Sequence, residues 1–286
     1  MKFEFIQEHR KEYKLVRLCD ALEVSPNGFH DWLHRKPSAR RQENTRLLNE
    51  IKMLHETNKK RYGSPRIHAA LLKQGEQVSR GRVERLMRHH NIVALRAKRH
   101  KRVYKQRLSQ LGVDNILDRN FKASAPNEKW VSDITFIPTR EGYLYLATVL
   151  DLYSRAIVGW AMSKRINGKL VLNALDMAIS HRGTPEGVLV HSDQGSQYTA
   201  EAYREKLRTQ NMECSMSRKG ECHDNAVAES FFHTLKEELV YNENYATRHE
   251  AKQSIFKYIE LYYNRQRLHS YLNYNAPLEY ERMNVA

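Results

Sequence analysis

Cysteine is scarce in this chain. Its 286 residues hold three, Cys19, Cys214 and Cys222, with no C-x-x-C pair and an odd one left over. That excludes a disulfide framework and reads as a reduced, cytosolic protein. Only Cys19 lies in the basic first half, so the histidines there cannot complete a Cys2His2 zinc site. No stretch approaches the roughly 18 apolar residues of a membrane span. The start, Met1-Lys2-Phe3-Glu4-Phe5, lacks the apolar run of a signal peptide. Also missing are a P-loop, a Gly-rich dinucleotide turn, a nucleophilic Ser–His pair, internal repeats and low-complexity tracts.

One half of the chain is also short of acid. Residues 1–125 carry 29 basic and 13 acidic side chains, whereas residues 126–286 carry 19 and 20. The net charge of +15 therefore comes entirely from the first 125 residues. A basic half joined to a near-neutral one suggests a polyanion-gripping region attached to something with a different task.

What is present divides the chain into five regions. Residues 1–44 are an N-terminal helical region: Leu15, Leu18 and Leu22 recur at helical spacing, Ser25-Pro26-Asn27-Gly28 supplies a break, and Phe29, Trp32 and Leu33 resume the period. A helix-turn-helix and a plain helical hairpin fit equally. Residues 45–95 repeat the logic as a helix-turn-helix-like unit. Leu47, Leu48, Ile51 and Leu54 mark one helix, Tyr62-Gly63-Ser64-Pro65 breaks it, and Ile67, Ala70 and Leu71 mark a second that ends at Gly75. Ser79 is placed to N-cap a third, which carries Arg80, Arg82, Arg85 and Arg88. Such a helix suits a DNA groove, with Arg82 and Arg85 as candidate contacts. Residues 96–125 form a basic linker, with seven Lys/Arg plus His100 between Arg96 and Arg107. Arg96, Lys98, Arg99, Lys101 and Arg102 are its candidate phosphate contacts.

Residues 126–240 switch to an α/β pattern. Trp130–Pro138, Tyr143–Asp151 and Ala156–Met162 read as an antiparallel meander. A helix near Gly168–Ser180, a strand Gly187–His191, a helix Ala200–Gln210 and a strand Glu213–Met216 follow. The result is a mixed sheet with flanking helices. Long helices around Asn225–Val240 and His249–Asn264 lead into a C-terminal helical segment, 241–286.

Three acids stand out within these elements. Asp133 interrupts the apolar strand Trp130-Val131-Ser132-Asp133-Ile134-Thr135-Phe136, an expensive place for a carboxylate without a compensating cation or donor. Asp193 ends the strand Val188-Leu189-Val190-His191-Ser192 before a Gly turn, where α/β sheets place ligands. Glu229 lies on a helix with a buried stripe of Val227, Phe231 and Leu235, which Asp224 is placed to cap. Lys236, seven residues on, returns to nearly the same face as Glu229. An oxygen-only donor set suits Mg²⁺ or Mn²⁺. Two such ions about 3.5–4 Å apart serve in-line phosphoryl displacement by water or by a 3′-OH. Asp151 is the rival carboxylate and reads as structural. Two other readings of the chain are a non-catalytic DNA-binding regulator and an RNase H-like nuclease that only hydrolyses.

Thirty-five residues separate Asp193 from Glu229, the spacing of the D,D-35-E integrases and transposases. The strings around the three acids, with Lys236, resemble the OrfB subunit of the large bacterial insertion-sequence family expressed by frameshifting. Arg61-Tyr62-Gly63-Ser64-Pro65-Arg66-Ile67 resembles that family's helix-turn-helix region. Tyr263-Asn264-Arg265-Gln266-Arg267-Leu268-His269-Ser270, with Tyr274 and Pro277, resembles its C-terminal signature. One string departs: Gly220-Glu221-Cys222-His223-Asp224-Asn225 stands where Gly-Asn-Cys-Trp-Asp-Asn is expected. The resemblance implies an RNase H-like integrase core with Asp133, Asp193 and Glu229 as catalytic metal ligands, two Mg²⁺ or Mn²⁺ ions, and Lys236 on DNA. It further implies cleavage and 3′-OH strand transfer at the element's terminal inverted repeats and insertion into target DNA. The expected partners are duplex DNA, further copies of the chain (at least a dimer on DNA) and the upstream-frame OrfA product or its frameshift fusion. The expected location is the bacterial cytoplasm, at the nucleoid.

Overall fold

The computed structural model describes residues 1–95, 113–218 and 220–284. The chain opens with helices α1 (Lys2–His9), α2 (Leu15–Ala21) and α3 (Pro26–His34). They enclose a small core of their own, Ile6, Leu18, Cys19 and Phe29. The expected break at residues 25–28 is instead the start of α3. Ser25 is its N-cap, with Oγ accepting from Gly28 N at 2.9 Å, and Pro26 opens the first turn. Proline is at home there, because the first helical N–H has no intrahelical partner to lose.

The same correction applies further on. Helix α4 (Ala39–Thr57) begins about two turns before Leu47, the first residue of its expected apolar pattern, capped by Ser38. Helix α5 (Ser64–Lys73) begins with the Ser64-Pro65 pair that read as a break. Helix α6 (Arg80–His89) is capped by Ser79 as expected. Leu47, Ile51, Ile67, Leu71, Val83 and Met87 are buried between these three helices.

Strands β1 (Lys129–Ile137), β2 (Leu144–Asp151) and β3 (Ile157–Ser163) form the antiparallel meander. Helix α7 (Gly168–His181) leads to β4 (Leu189–Ser192), parallel to β1, and α8 (Glu201–Thr209) leads to β5 (Glu213–Met216), parallel to β4. The five-stranded order is β3-β2-β1-β4-β5. Helix α7 packs on one face, with Ala174 and Ala178 among Trp130, Val149 and Val158. A Cβ at Gly159 would meet the Ala174 carbonyl at 2.2 Å, so this strand position admits only glycine. Helix α9 (Ala226–Glu238) covers the other face, burying Phe231 and Leu235 with Val131, Leu146 and Leu150. Helix α10 (Arg248–Phe256) passes into a π-helical stretch, Lys257–Tyr263, and α11 (Pro277–Asn284) ends the described chain.

Both edges of the sheet are covered. On β5, Met216 N donates to Asp114 O at 3.1 Å, and Ser215 Oγ accepts from Ile116 N and Leu117 N. The expected linker is thus docked on the sheet from residue 114. On β3, the Asn264 side chain both accepts from Ile157 N and donates to Ile157 O at 2.9 Å, and the His181 ring lies 3.2 Å from Val158 O.

The helix-turn-helix-like unit is joined to this body. Tyr62 Oη accepts from Leu268 N and donates to Gln266 O, and Arg66 Nε donates to Leu268 O. Arg61 Nε donates to Glu238 O, its guanidinium 4.4 Å from the Tyr262 ring centre. Glu238 itself accepts three bonds from Arg267, 2.8 Å at the shortest, and one from Tyr258 Oη at 2.9 Å. The two signature strings near opposite ends of the chain are therefore each other's partners.

Candidate active site

The parallel register of β1 and β4 brings the first two acids level. Val131 pairs with His191, so two residues on, Asp133 comes abreast of Asp193, which follows the end of β4. Each carboxylate is half-buried and accepts one backbone N–H: Asp133 Oδ1 from Ile134 N at 2.7 Å, Asp193 Oδ1 from Gly195 N at 3.0 Å. Among the described residues, neither forms an ion pair with Arg, Lys or His. A Cβ at Gly195 would lie 2.9 Å from Asp193 Oδ1. Glycine at this turn is what lets the backbone approach that carboxylate.

Burial raises both carboxyls, and crowding of negative charge adds to it at Asp133. Asp133 is raised well above the carboxylate range by burial first, then by the charges of Asp193 and Glu229, with Lys236 pulling the other way. Asp193 is raised by burial, opposed by the Gly195 N–H. Two acids that resist ionising side by side want a cation between them.

Glu229 sits in the first turn of α9 and is half-buried. The helix start is fixed to β1: Asn225 Nδ2 donates to Ser132 O at 3.1 Å, one residue from Asp133. Glu229 thereby acts on Asp133, though less strongly than Asp193 does. As placed, no three His, Cys, Asp or Glu side chains among the described residues converge on a single ion position. The Asp133–Asp193 pair is assembled, and Glu229 faces it without closing the set.

Asp224 does not cap α9. Its fully buried carboxylate is taken by Arg119 Nε at 2.6 Å, Arg218 Nη2 at 3.0 Å, Arg218 N at 2.9 Å and Asn115 Nδ2 at 2.9 Å. The Arg218 hydrogen bonds first, and then Arg119, hold it well below the ordinary carboxylate range. Glu221, one of the two departures from the family string, joins this cluster by accepting from Arg119 Nη2 at 2.6 Å. The other, His223, is exposed. Asp151 is a structural acid, accepting Asn127 N at 2.7 Å and Tyr153 N at 2.8 Å.

His191, a strand residue to which the sequence gives no role, braces the site. Its buried ring lies 2.8 Å from Ser215 Oγ and 3.1 Å from Ser217 Oγ, and burial pushes it down to about 4, so it is neutral at pH 7. Asn225 and His191 carry no signal of these roles, because a hydroxyl or backbone partner far along the chain leaves no periodic trace in sequence.

Lys236 reaches back over β1, with Nζ 4.6 Å from the centre of the Phe136 ring. Of the other candidate DNA contacts, Arg85 is exposed, while Arg82 is turned inward and donates to Asn44 Oδ1 at 2.9 and 2.7 Å. Arg96, Lys98, Arg99, Lys101 and Arg102 lie outside the described residues. None of the described helices is long and apolar enough to cross a membrane.

Three family profiles match the chain: an HTH-like domain over residues 42–105 and an integrase core domain over 123–222 and again over 229–285. Transposase InsF for insertion sequence IS3A of Escherichia coli (strain K12) is 38% identical over 288 residues, covering 100% of both chains. The transposase for insertion sequence element IS904 of Lactococcus lactis subsp. lactis (strain IL1403) is 43% identical over 252 residues, 88% of this chain and 100% of its own. The HTLV-2 integrase catalytic core domain in complex with magnesium aligns more loosely, at 16% identity and TM-score 0.42 over 56% of this chain and 99% of its own. On the full-length identity, with the integrase core beneath it, the chain belongs to the IS3 family of insertion-sequence transposases, DDE polynucleotidyl transferases that carry out DNA transposition.

Proposed function

We propose that Asp133, Asp193 and Glu229 form the catalytic centre, which cleaves a DNA strand at the element's terminal inverted repeats and passes the freed 3′-OH to target DNA. The observation that carries this reading is the Asp133–Asp193 pair: two half-buried carboxylates level on parallel strands, each met by one backbone N–H and no ion-pair partner among the described residues. Their all-oxygen donors fit a hard divalent cation. Two Mg²⁺ or Mn²⁺ ions bound there would supply activation of the attacking oxygen and stabilisation of the leaving one.

The chain's own residues do the positioning. Asp133 and Asp193 are fixed by backbone hydrogen bonds and by the Gly195 turn. Asn225 aims the first turn of α9, and Glu229 is the third donor of the proposed set. Lys236 contacts a phosphate near the scissile one. Arg85 and the basic arm Arg96, Lys98, Arg99, Lys101 and Arg102 hold flanking duplex, with Arg82 supporting α6 from within.

The five regions 1–44, 45–95, 96–125, 126–240 and 241–286 act as helical start, DNA-binding unit, basic arm, catalytic core and clasp. Synapsis of two ends calls for at least two copies, joined by the upstream-frame OrfA product or its frameshift fusion, at the nucleoid. The test is Asp193→Asn with labelled element-end DNA and Mg²⁺ on a denaturing gel. The expected result is intact binding with no cutting or joining; cutting at the wild-type rate would remove the assignment.

A further inference from the structure

The β1–β2 hairpin carries aromatic rings where solvent would ordinarily be met by polar groups. Phe136 is 50% exposed and Tyr143 53% exposed, with ring centres 5.1 Å apart at 66°. Tyr145, the cross-strand partner of Phe136, extends the row at 6.4 Å from Tyr143. Scattered exposed apolar residues are ordinary, but adjoining rings held on one rigid hairpin form a patch. The hairpin is braced: Arg248 Nε donates to Tyr143 O at 3.0 Å and Arg248 N to Glu141 Oε2 at 2.9 Å. Gly142, at φ +99°, makes the tight turn beneath Arg248.

The position of this patch relative to the acids is fixed twice over. Phe136 lies three residues beyond Asp133 on β1, about 10 Å at strand rise. Lys236 lies seven residues beyond Glu229 on α9, also about 10 Å at helix rise. Lys236 meets Phe136 and Glu229 acts on Asp133, so helix and strand run in the same direction from the acids to the rings. Residues three apart alternate faces, so the Phe136–Tyr145 row leaves the sheet on the side opposite Asp133, and Lys236 reaches it round the end of β1. The surroundings are cationic, with Lys236 over the Phe136 ring and exposed Arg140 at the hairpin tip. Flat rings with Lys236 over one of them and Arg140 nearby, beside the single acid Glu141 and about three stacked nucleotides from the proposed phosphoryl-transfer site, match one ligand class.

We propose that Phe136 and Tyr143 form a stacking platform for an unpaired nucleobase of the DNA strand that enters the acid site. Aromatic side chains suit this because their few rotatable bonds cost little entropy to fix, and every base offers a π-face. Held there, a base a few nucleotides from the scissile phosphate fixes how far the strand advances toward Asp133. This rests on the acid site acting on DNA as proposed above.

The experiment uses the full chain in chelator with a short forked duplex whose unpaired 3′ bases carry 2-aminopurine one position at a time. Wild type and Asp193→Asn should quench emission at a particular unpaired position. The Phe136→Leu/Tyr143→Leu double variant, still apolar but without rings, should lose that quenching. Its affinity for forked duplex should fall on the order of tenfold relative to blunt duplex, and Tyr143→Phe should behave as wild type. Circular dichroism melting checks folding, and Tyr143→Leu alone gives the same reading if the double variant melts early. Quenching at no position, or quenching unchanged in the leucine variants, would overturn the platform. So would a shift in oligomeric state without DNA, which would make the patch a protein contact. An Asp193→Asn protein that cuts normally would sink the acid assignment alone, whereas absent quenching with a dead Asp193→Asn removes only the platform.

Discussion

Two of the three glutamates of helix α9, nine residues apart, stand in opposite circumstances. Glu238 is buried and fully dressed, by Arg267, Arg66 and the Tyr258 hydroxyl. Glu229 faces the Asp133–Asp193 pair, where the described residues offer backbone N–H groups and the nearby Lys236 in place of a guanidinium. Asp224, just before the helix, follows Glu238: two arginines hold it ionised. A buried acid whose counter-charge is built into the chain serves architecture. A half-buried acid pair with no such partner among the described residues is where we propose the chemistry.

Neutralising each kind should give opposite results, and this is where the largest effect is expected. Asp133→Asn should lower strand cleavage on the order of a thousandfold or more, since these residues act as a unit. It should leave the metal-free melting temperature unchanged or higher, because it removes charge crowding. A clear fall in melting temperature with activity retained would reverse the roles assigned to the two acid groups. Arg267→Met is the converse case. It strands Glu238 in the interior at a cost of about 3–5 kcal/mol of folding stability, which urea titration would measure. Pairing it with Glu238→Met should recover much of that loss, and no recovery would mean that Arg267 acts by packing.

The pH dependence sharpens the contrast. Asp133 and Asp193 have raised values, so the stability they contribute is fully present below the ordinary carboxylate range and is lost as pH rises through those elevated values. Asp224 is depressed, so its contribution is present above that range and is lost as pH falls toward its lowered value. In chelator, Asp133→Asn should therefore lessen the loss of stability on the neutral side, and Asp224→Asn the loss on the acid side. Mg²⁺ should bind more tightly as pH rises and release protons on binding, detectable by calorimetry in buffers of different ionisation enthalpy.

The smallest expected effect separates two arginines on α6. Arg85→Ala should lower the slope of log affinity for DNA against log salt by roughly 0.9, one phosphate contact. Arg82→Ala, whose guanidinium is bound to Asn44, should leave that slope unchanged. Equal slopes for both variants would remove α6 from the DNA surface.

How far sequence carries the structure follows the same division. The meander, α7, β5 and the Ser79 cap were legible because strand alternation, helical period and capping are local. Asp133 and Asp193 stood out because a carboxylate on an apolar strand conflicts with its surroundings. Helix starts at Pro26 and Ser64 were misjudged, since proline punctuates a helix and also opens one. The first turns of α4 were missed because exposed polar residues leave no apolar period. Arg61 and Arg66 read as part of a DNA-binding region, yet Arg66 bonds the chain's own C-terminal signature at Leu268, and Arg61 lies against Glu238 and Tyr262 just before it. Pairings so far apart in the chain have no local signature.

The covered sheet edges carry a consequence for assembly. Unpaired strand edges invite sheet growth from one molecule into the next, and proteins concentrated along DNA are exposed to that hazard. Here the start of β3 is answered by the Asn264 amide and the His181 ring, and β5 is occupied by the Asp114–Leu117 stretch. Copies brought together at two DNA ends are thus steered away from joining by added strands. Side chains and helices are left as the readier meeting surfaces, and such contacts can be undone once the DNA has been moved.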